Sequence, residues 1–112
     1  MTLQQLEYIV ALDKYRHFVK AAESCHVTQS TLSMMVQKLE QELEINIFDR
    51  KSQPIEPTEI GKNLIDQAKV ILYNTKQFQE LALNEKQQES GKVTLGIIPT
   101  VAPYILPKLF NI

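Results

Sequence analysis

The sequence predicts a mainly α-helical chain, and three observations carry that prediction. Gln, Glu, Lys, Leu and Ala are common, and only three glycines occur in 112 residues, a composition that favours helix. Apolar residues recur at three- and four-residue spacing through much of the first forty positions. A stretch from Thr58 to about Gln87 then runs without a single proline.

The elements come in order. Thr2 to about Tyr15 reads as a first helix, with Leu3, Leu6, Ile9, Val10 and Leu12 on a broad apolar face. Phe18 to Ser24 is a second, short helix that turns Phe18, Ala21, Ala22 and Cys25 inward. His26 and Val27 leave room only for a turn, and Thr28 has the hydroxyl to cap a third helix. In that helix, Gln29 to Glu42, about 100° per residue places Leu32, Val36, Leu39 and Leu43 in one narrow arc. Ser30, Ser33, Met34, Gln37 and Gln41 point the other way. A short helix, a tight turn and a helix with hydroxyls and amides outside is helix-turn-helix organisation. Amides such as Gln29 and Gln37 match adenine edges, and hydroxyls match phosphates or bases. On this segment alone an ordinary solvated amphipathic face remains the alternative.

From Ile45 to Pro57 the pattern changes. Ile47 and Phe48 are anchors before a polar tip, Asp49-Arg50-Lys51-Ser52-Gln53-Pro54, and Ile55 and Pro57 close it. Two short extended stretches around that tip make a small wing, where Arg50 and Lys51 can meet phosphates and Gln53 or Pro54 the minor groove. Thr58 caps the long fourth helix. Leu64, Ile71 and Phe78 recur every seven residues, with Ala68, Thr75 and Ala82 beside them. A narrow stripe on so long a helix needs a partner helix, and a second copy is the expected cover. Core packing against a following domain is the other reading. The pattern breaks at Ser90-Gly91. Val93, Leu95 and Ile97 alternate as a strand, followed by Pro99, Pro103 and Pro107. The expected organisation is a winged helix-turn-helix over 1–58, a linker and dimerisation helix over 59–88, and over 89–112 the first strand of a truncated α/β sensor domain.

Charge argues against a nucleic-acid partner at first sight. Residues 1–57 hold six Lys or Arg against eight Asp or Glu, a net of −2, where a DNA-binding domain is usually basic. Placement has to answer this, with Lys38, Arg50 and Lys51 where contact is needed and Glu40, Glu42 and Glu44 read as a solvated helix end. No apolar run approaches the roughly 20 residues that cross a bilayer, and the first twelve residues lack the basic start of a signal peptide. The single Cys25 fits a reducing compartment, the cytoplasm by default, and its place on an inward face favours packing over redox chemistry. His17 and His26 have no partners at metal spacing. Neither a Gly-rich phosphate loop nor a nucleophile, base and acid set is present. The expectation is a chain that is not an enzyme and carries no metal or cofactor.

The run Phe18-Val19-Lys20-Ala21-Ala22-Glu23-Ser24-Cys25-His26-Val27-Thr28-Gln29-Ser30-Thr31-Leu32-Ser33 resembles the helix-turn-helix of LysR-type transcriptional regulators. The segments Lys38-Leu39-Glu40-Gln41-Glu42-Leu43, Ile47-Phe48-Asp49-Arg50 and Thr58-Glu59-Ile60-Gly61 extend the likeness in order and spacing. Arg16-His17-Phe18, Ser24-Cys25-His26-Val27 and the run from Gly96 to Pro107 are similar to the hydrogen-peroxide-sensing activators of that family. The resemblance implies a regulator that binds double-stranded promoter DNA, forms a dimer through its linker helix and a tetramer at full length, with RNA polymerase as a candidate further partner. It places Gln29, Ser30, Ser33, Met34 and Gln37 at the major groove, Thr28, Thr31 and Lys38 at phosphates, and Arg50, Lys51, Ser52, Gln53 and Pro54 in the wing. His17, at the start of the second helix, is a further candidate for a phosphate. Thr100 matches a position lining a peroxide pocket, and activation of oxidative-stress genes is the implied role. A regulator of another effector, or a dimeric helical interaction module, are the alternatives. Two departures stand out. Met34 occupies a position where the family often carries Arg or another polar residue, and Glu44 replaces the glycine that usually ends the recognition helix, so the helix is expected to end differently, around Asn46.

Overall fold

The computed structural model describes residues 1–91. Its elements in chain order are α1 (Leu3–Tyr15), α2 (Phe18–Ser24), α3 (Gln29–Leu43), β1 (Phe48–Asp49), β2 (Glu56–Pro57) and α4 (Glu59–Gly91). Residues Met1–Thr75 form one compact unit and a second begins at Lys76. The three short helices, the two strands and the first half of α4 pack together in the first unit. The expected strand over Val93 to Ile97, and Thr100, lie outside the described residues.

Each helix start depends on a side chain that accepts a free backbone N–H. At α1 the arrangement is reciprocal: Gln5 N–H donates to Thr2 Oγ1 (3.1 Å) and Thr2 N–H to Gln5 Oε1 (2.9 Å), a capping box. Gln5 is buried, and its Nε2 also donates to the Met35 carbonyl at 3.1 Å. One amide thus caps α1 and ties it to α3. His17 Nδ1 accepts from Lys20 N–H at the start of α2, and Thr28 Oγ1 accepts from Thr31 N–H at the start of α3.

The three helices enclose a core of Leu6, Tyr8, Ile9, Leu12, Ala21, Ala22, Leu32, Val36 and Leu39, closed from beneath by Ile47, Phe48, Ile55, Ile65 and Ala68. Two residues expected inside are not. Leu3 is 45% exposed, because it occupies the first helical position, beyond the reach of α2 and α3. Leu43 is 36% exposed, since the chain turns away immediately after it. Tyr8 and Gln5, which lie outside the apolar periodicity, are buried instead.

β1 and β2 pair antiparallel, with Phe48 opposite Pro57 and Asp49 opposite Glu56, so the expected wing is a very short ribbon. Immediately after it, Thr58 fixes the start of α4. Its N–H donates to the Ile47 carbonyl (2.9 Å), its hydroxyl donates to the Asn46 carbonyl (2.6 Å) and accepts from Gly61 N–H (3.0 Å). Gly61 lies flush against the segment before the wing, where a Cβ would collide with the Ile47 carbonyl oxygen. The absence of a side chain is therefore a packing requirement here, because α4 lies against backbone and not against a movable side chain.

α4 ends at Gly91, a few residues past the linker boundary expected at 88. The expected dimer stripe divides. Ala68 is 1% exposed and Leu64 is half-buried against the core of its own unit. Both sit on the inward side because Ile65, Ala68 and Leu72 lie at helical spacing and root α4 in that core. Ile71, Phe78 and Ala82 are exposed, while the Thr75 hydroxyl donates to the Ile71 carbonyl at 2.9 Å.

Replacing Gly61 with alanine should destabilise the fold by about 1–3 kcal/mol, the usual cost of overpacking a closed site. Thermal and urea unfolding followed by circular dichroism measure it, and an unchanged midpoint would show that α4 is free to move off Ile47.

Candidate nucleic-acid interface

The geometry of the candidate interface begins at the turn between α2 and α3. Val27 N–H donates to the Ala22 carbonyl (3.0 Å) and His26 N–H to the Glu23 carbonyl (3.1 Å), with His26 at φ 61°. This is the Schellman closure of a helix, in which a left-handed residue reverses the chain and satisfies the last carbonyls. It leaves two residues, His26 and Val27, between Cys25 and the cap of α3, and so determines how α3 is presented.

α3 presents two different sides. Leu32, Val36 and Leu39 are fully buried, while Gln29, Ser30, Met34, Gln37 and Lys38 are exposed, and Thr31 and Ser33 half-buried at the margin. Among the described residues the side chains of Gln29, Gln37 and Lys38 make no hydrogen bond to the protein. Thr28 differs. Its hydroxyl caps the helix and donates to Thr31 Oγ1 at 2.9 Å, so both threonines are engaged in holding the first turn. His17 is likewise the cap of α2, with its ring exposed.

The end of α3 corrects the expectation of a later stop near Asn46. The helix ends at Leu43, and Glu44 itself takes the left-handed conformation (φ 57°, ψ 40°). Glu44 N–H donates to the Gln41 carbonyl and Ile45 N–H to the Glu40 carbonyl, the same closure that ends α2. A side chain at a position suited to glycine costs on the order of 1 kcal/mol, which the two satisfied carbonyls and the burial of Ile47 beyond offset.

Of the three glutamates expected to form a solvated helix end, Glu42 and Glu44 are exposed and Glu40 is not. Glu40 is 6% exposed. Its Oε2 accepts from Ile47 N–H (2.8 Å) and Phe48 N–H (3.2 Å), and its Oε1 pairs with Arg50 Nη2 at 2.8 Å. Glu42 pairs with the amino group of Met1 at 2.7 Å, an exposed contact that solvent screens. Arg50, expected to be free for phosphate, is therefore held by Glu40. The signal for Glu40 was in its spacing: four residues after Val36, it lies on the edge of the buried arc, so its side chain can turn under the helix toward the wing.

The wing tip is organised by Asp49. Its carboxylate accepts from Lys51 N–H (3.0 Å) and from the Ser52 hydroxyl (3.4 Å), a side-chain-closed turn of the kind aspartate favours. Ser52 is thus part of the turn, whereas Lys51, Gln53 and Pro54 are exposed. Lys51 makes no ion pair among the described residues. The Met1 ammonium, additional to the Lys and Arg side chains, offsets one of the acidic residues, whereas the Glu40–Arg50 pair takes up one acid and one base and leaves the balance as it was.

The family profile of bacterial regulatory helix-turn-helix proteins, lysR family, matches residues 3–62. This chain belongs to the LysR family. The match spans α1 through the start of α4 and includes the turn, α3 and the wing. Among relatives, the hydrogen peroxide-inducible genes activator of Haemophilus influenzae is 45% identical over 107 residues, which is 96% of this chain and 36% of that protein. The chain thus spans about a third of that relative's length. Full-length OxyR C199D from Pseudomonas aeruginosa is a similar solved structure, with a TM-score of 0.76 and 44% identity over 79% of this chain and 30% of that one. The BenM_DBD/benA site 1 DNA complex superposes with a TM-score of 0.74 at 32% identity, covering 77% of this chain and 97% of that one. These LysR likenesses are to transcription regulators. Among the described residues no helix is long and apolar enough to cross a membrane.

Glu44→Gly should raise stability by up to about 1 kcal/mol, through relief of the left-handed strain. Chemical denaturation of the variant beside the wild type checks this, and a loss of stability would mean that the glutamate side chain supplies a compensating contact.

Proposed function

We propose that this chain is the DNA-binding part of a LysR-type regulator, in which α3 enters the major groove of promoter DNA and the wing meets the neighbouring minor groove. One observation carries the reading. The outward side of α3 keeps Gln29, Ser30, Met34 and Gln37 exposed, with Ser33 half-buried at its margin, while the opposite side is fully buried. Gln29, Ser30, Ser33, Met34 and Gln37 are the base-facing residues of this reading. Amides pair with adenine edges, and Met34 offers a thymine methyl an apolar contact but has no donor for guanine. Lys38 and Lys51 serve phosphates, with His17 and the first turn of α3 at Thr28 and Thr31 as further backbone contacts. Gln53 and Pro54 form the exposed edge of the wing. The solved BenM_DBD complex with DNA supports this arrangement by its likeness over the same elements.

The second part of the reading concerns assembly and response. Two copies pair through the exposed apolar residues of α4, with Ile71, Phe78 and Ala82 in the seam and Thr75 beside them; Leu64 and Ala68 serve the subunit's own core. Dimers set two recognition helices at a fixed spacing on the duplex, and tetramers form at full length. The whole protein is a cytoplasmic, peroxide-responsive activator of oxidative-stress genes, in contact with RNA polymerase. Support for that effector is the 45% and 44% identity to the peroxide-inducible activator of Haemophilus influenzae and to the OxyR of Pseudomonas aeruginosa.

In gel-shift titrations Gln29→Ala should weaken binding to the cognate site more than to random duplex, whereas Lys51→Ala should weaken both about equally. Uniform loss in both variants would remove α3 from the groove. Phe78→Asp should shift the chain toward monomer in sedimentation equilibrium, since a charge in an apolar seam is not tolerated. A variant that sediments as a dimer like the wild type would place the contact elsewhere.

A further inference from the structure

Of the two cations in the wing, Arg50 and Lys51, the structure treats one as internal. Arg50 Nη2 lies 2.8 Å from Glu40 Oε1, and its side chain is only a third exposed. The carboxylate that holds it is nearly buried and accepts two further N–H bonds, from Ile47 and Phe48, on its other oxygen. Those two amides begin the wing, and Arg50 comes directly after β1. Glu40 itself sits on α3, one residue after the buried Leu39. A single carboxylate therefore links the helix that reads bases to both ends of the strand that carries the wing tip.

We propose that Glu40 and Arg50 are positioning residues for DNA binding, an inference that rests on the DNA-binding reading of α3 and the wing. The pair fixes the wing relative to α3, and Lys51, the neighbouring cation, makes the wing's phosphate contact. Arg50 keeps its bond to Glu40 in the complex. The chemistry favours this over release to phosphate, because a buried carboxylate left without its cation loses a charge-assisted bond that no water readily replaces. Lys51 is exposed and unpaired among the described residues, so its transfer to a phosphate breaks nothing.

Counterion release separates the two roles. A cation that meets a phosphate contributes about 0.9 to the slope of log affinity against log salt, and one paired inside the protein contributes nothing. Glu40→Gln is the informative variant at the carboxylate. It keeps the shape and one acceptor oxygen for the backbone amides but turns an amide donor toward Arg50. The experiment is a gel-shift titration of the 112-residue chain on a promoter duplex at several salt concentrations. Lys51→Ala should lower the slope by about 0.9. Arg50→Gln and Glu40→Gln should weaken binding at every salt while leaving the slope at the wild-type value. The double variant should lose no more than either single one, as expected of residues acting through one contact. A slope lowered by about one in Arg50→Gln, or additive losses in the double variant, overturns the proposal.

Amide hydrogen exchange over residues 47–52, without DNA, gives an independent measurement. Both single variants should accelerate exchange there to the same extent, and unchanged rates overturn the positioning role even where Glu40→Gln folds poorly, because Arg50→Gln leaves Glu40 and its two backbone N–H partners in place. A wild-type chain with no salt-dependent binding overturns the DNA-binding reading instead, and the exchange rates still decide whether Glu40 holds the wing.

Discussion

A carboxylate withdrawn from water is costly unless donors replace the lost hydration. Glu40 receives three: two backbone N–H groups and a guanidinium. The arrangement of the domain beneath α3 hangs on that match. The segment from Ile47 to Arg50 can run under α3 because its first two amides, which would otherwise be unsatisfied inside the protein, find an acceptor there. Once Ile47 is fixed, its carbonyl receives the Thr58 N–H, which sets the beginning of α4. A replacement that leaves either partner of the ion pair alone is thus more damaging than the exposure of Arg50 would suggest.

On the other side of that junction the geometry is governed by how helices stop. Positive φ occurs at Arg16, directly after α1, at His26, just past the end of α2, and at Glu44, directly after α3, and none of the three is glycine. Local bonds retain each of them. Arg16 donates from Nε to the Asp13 carbonyl (2.7 Å) and from Nη2 to the Asp13 carboxylate (3.0 Å), and the other two close Schellman-type ends. Short connections of this kind leave little freedom in the angle between α2 and α3, which a reading helix requires if its amides are to meet base edges in register.

Much of this is legible in the residues. The three helices, the cap at Thr28, the two-residue turn and the wing between Ile47 and Pro57 come from periodicity and from residues with a local preference. The inward arc of α3 is a matter of angle alone. Less legible are the polar groups whose role depends on distant partners. Gln5 looks like a surface amide until Met35 is brought alongside it, and Glu40 looks like part of an acidic helix end until Arg50 folds back beneath. Gly61 looks ordinary because its constraint is the Ile47 carbonyl, fourteen positions earlier in the chain. The dimer stripe misleads in part for a related reason. Heptad spacing reports that a helix has an apolar side, but not what covers each residue, and Ala68 belongs to the core of its own chain.

The contact between Gly61 and Ile47 has a mechanical consequence. With no side chain between them, helix backbone bears directly on loop backbone, and Ile65 and Ala68 anchor the next turns of α4 in the same core. A torque about the axis of α4 has no soft layer there in which to dissipate. It is met first at Ile47, whose N–H donates to Glu40 on α3.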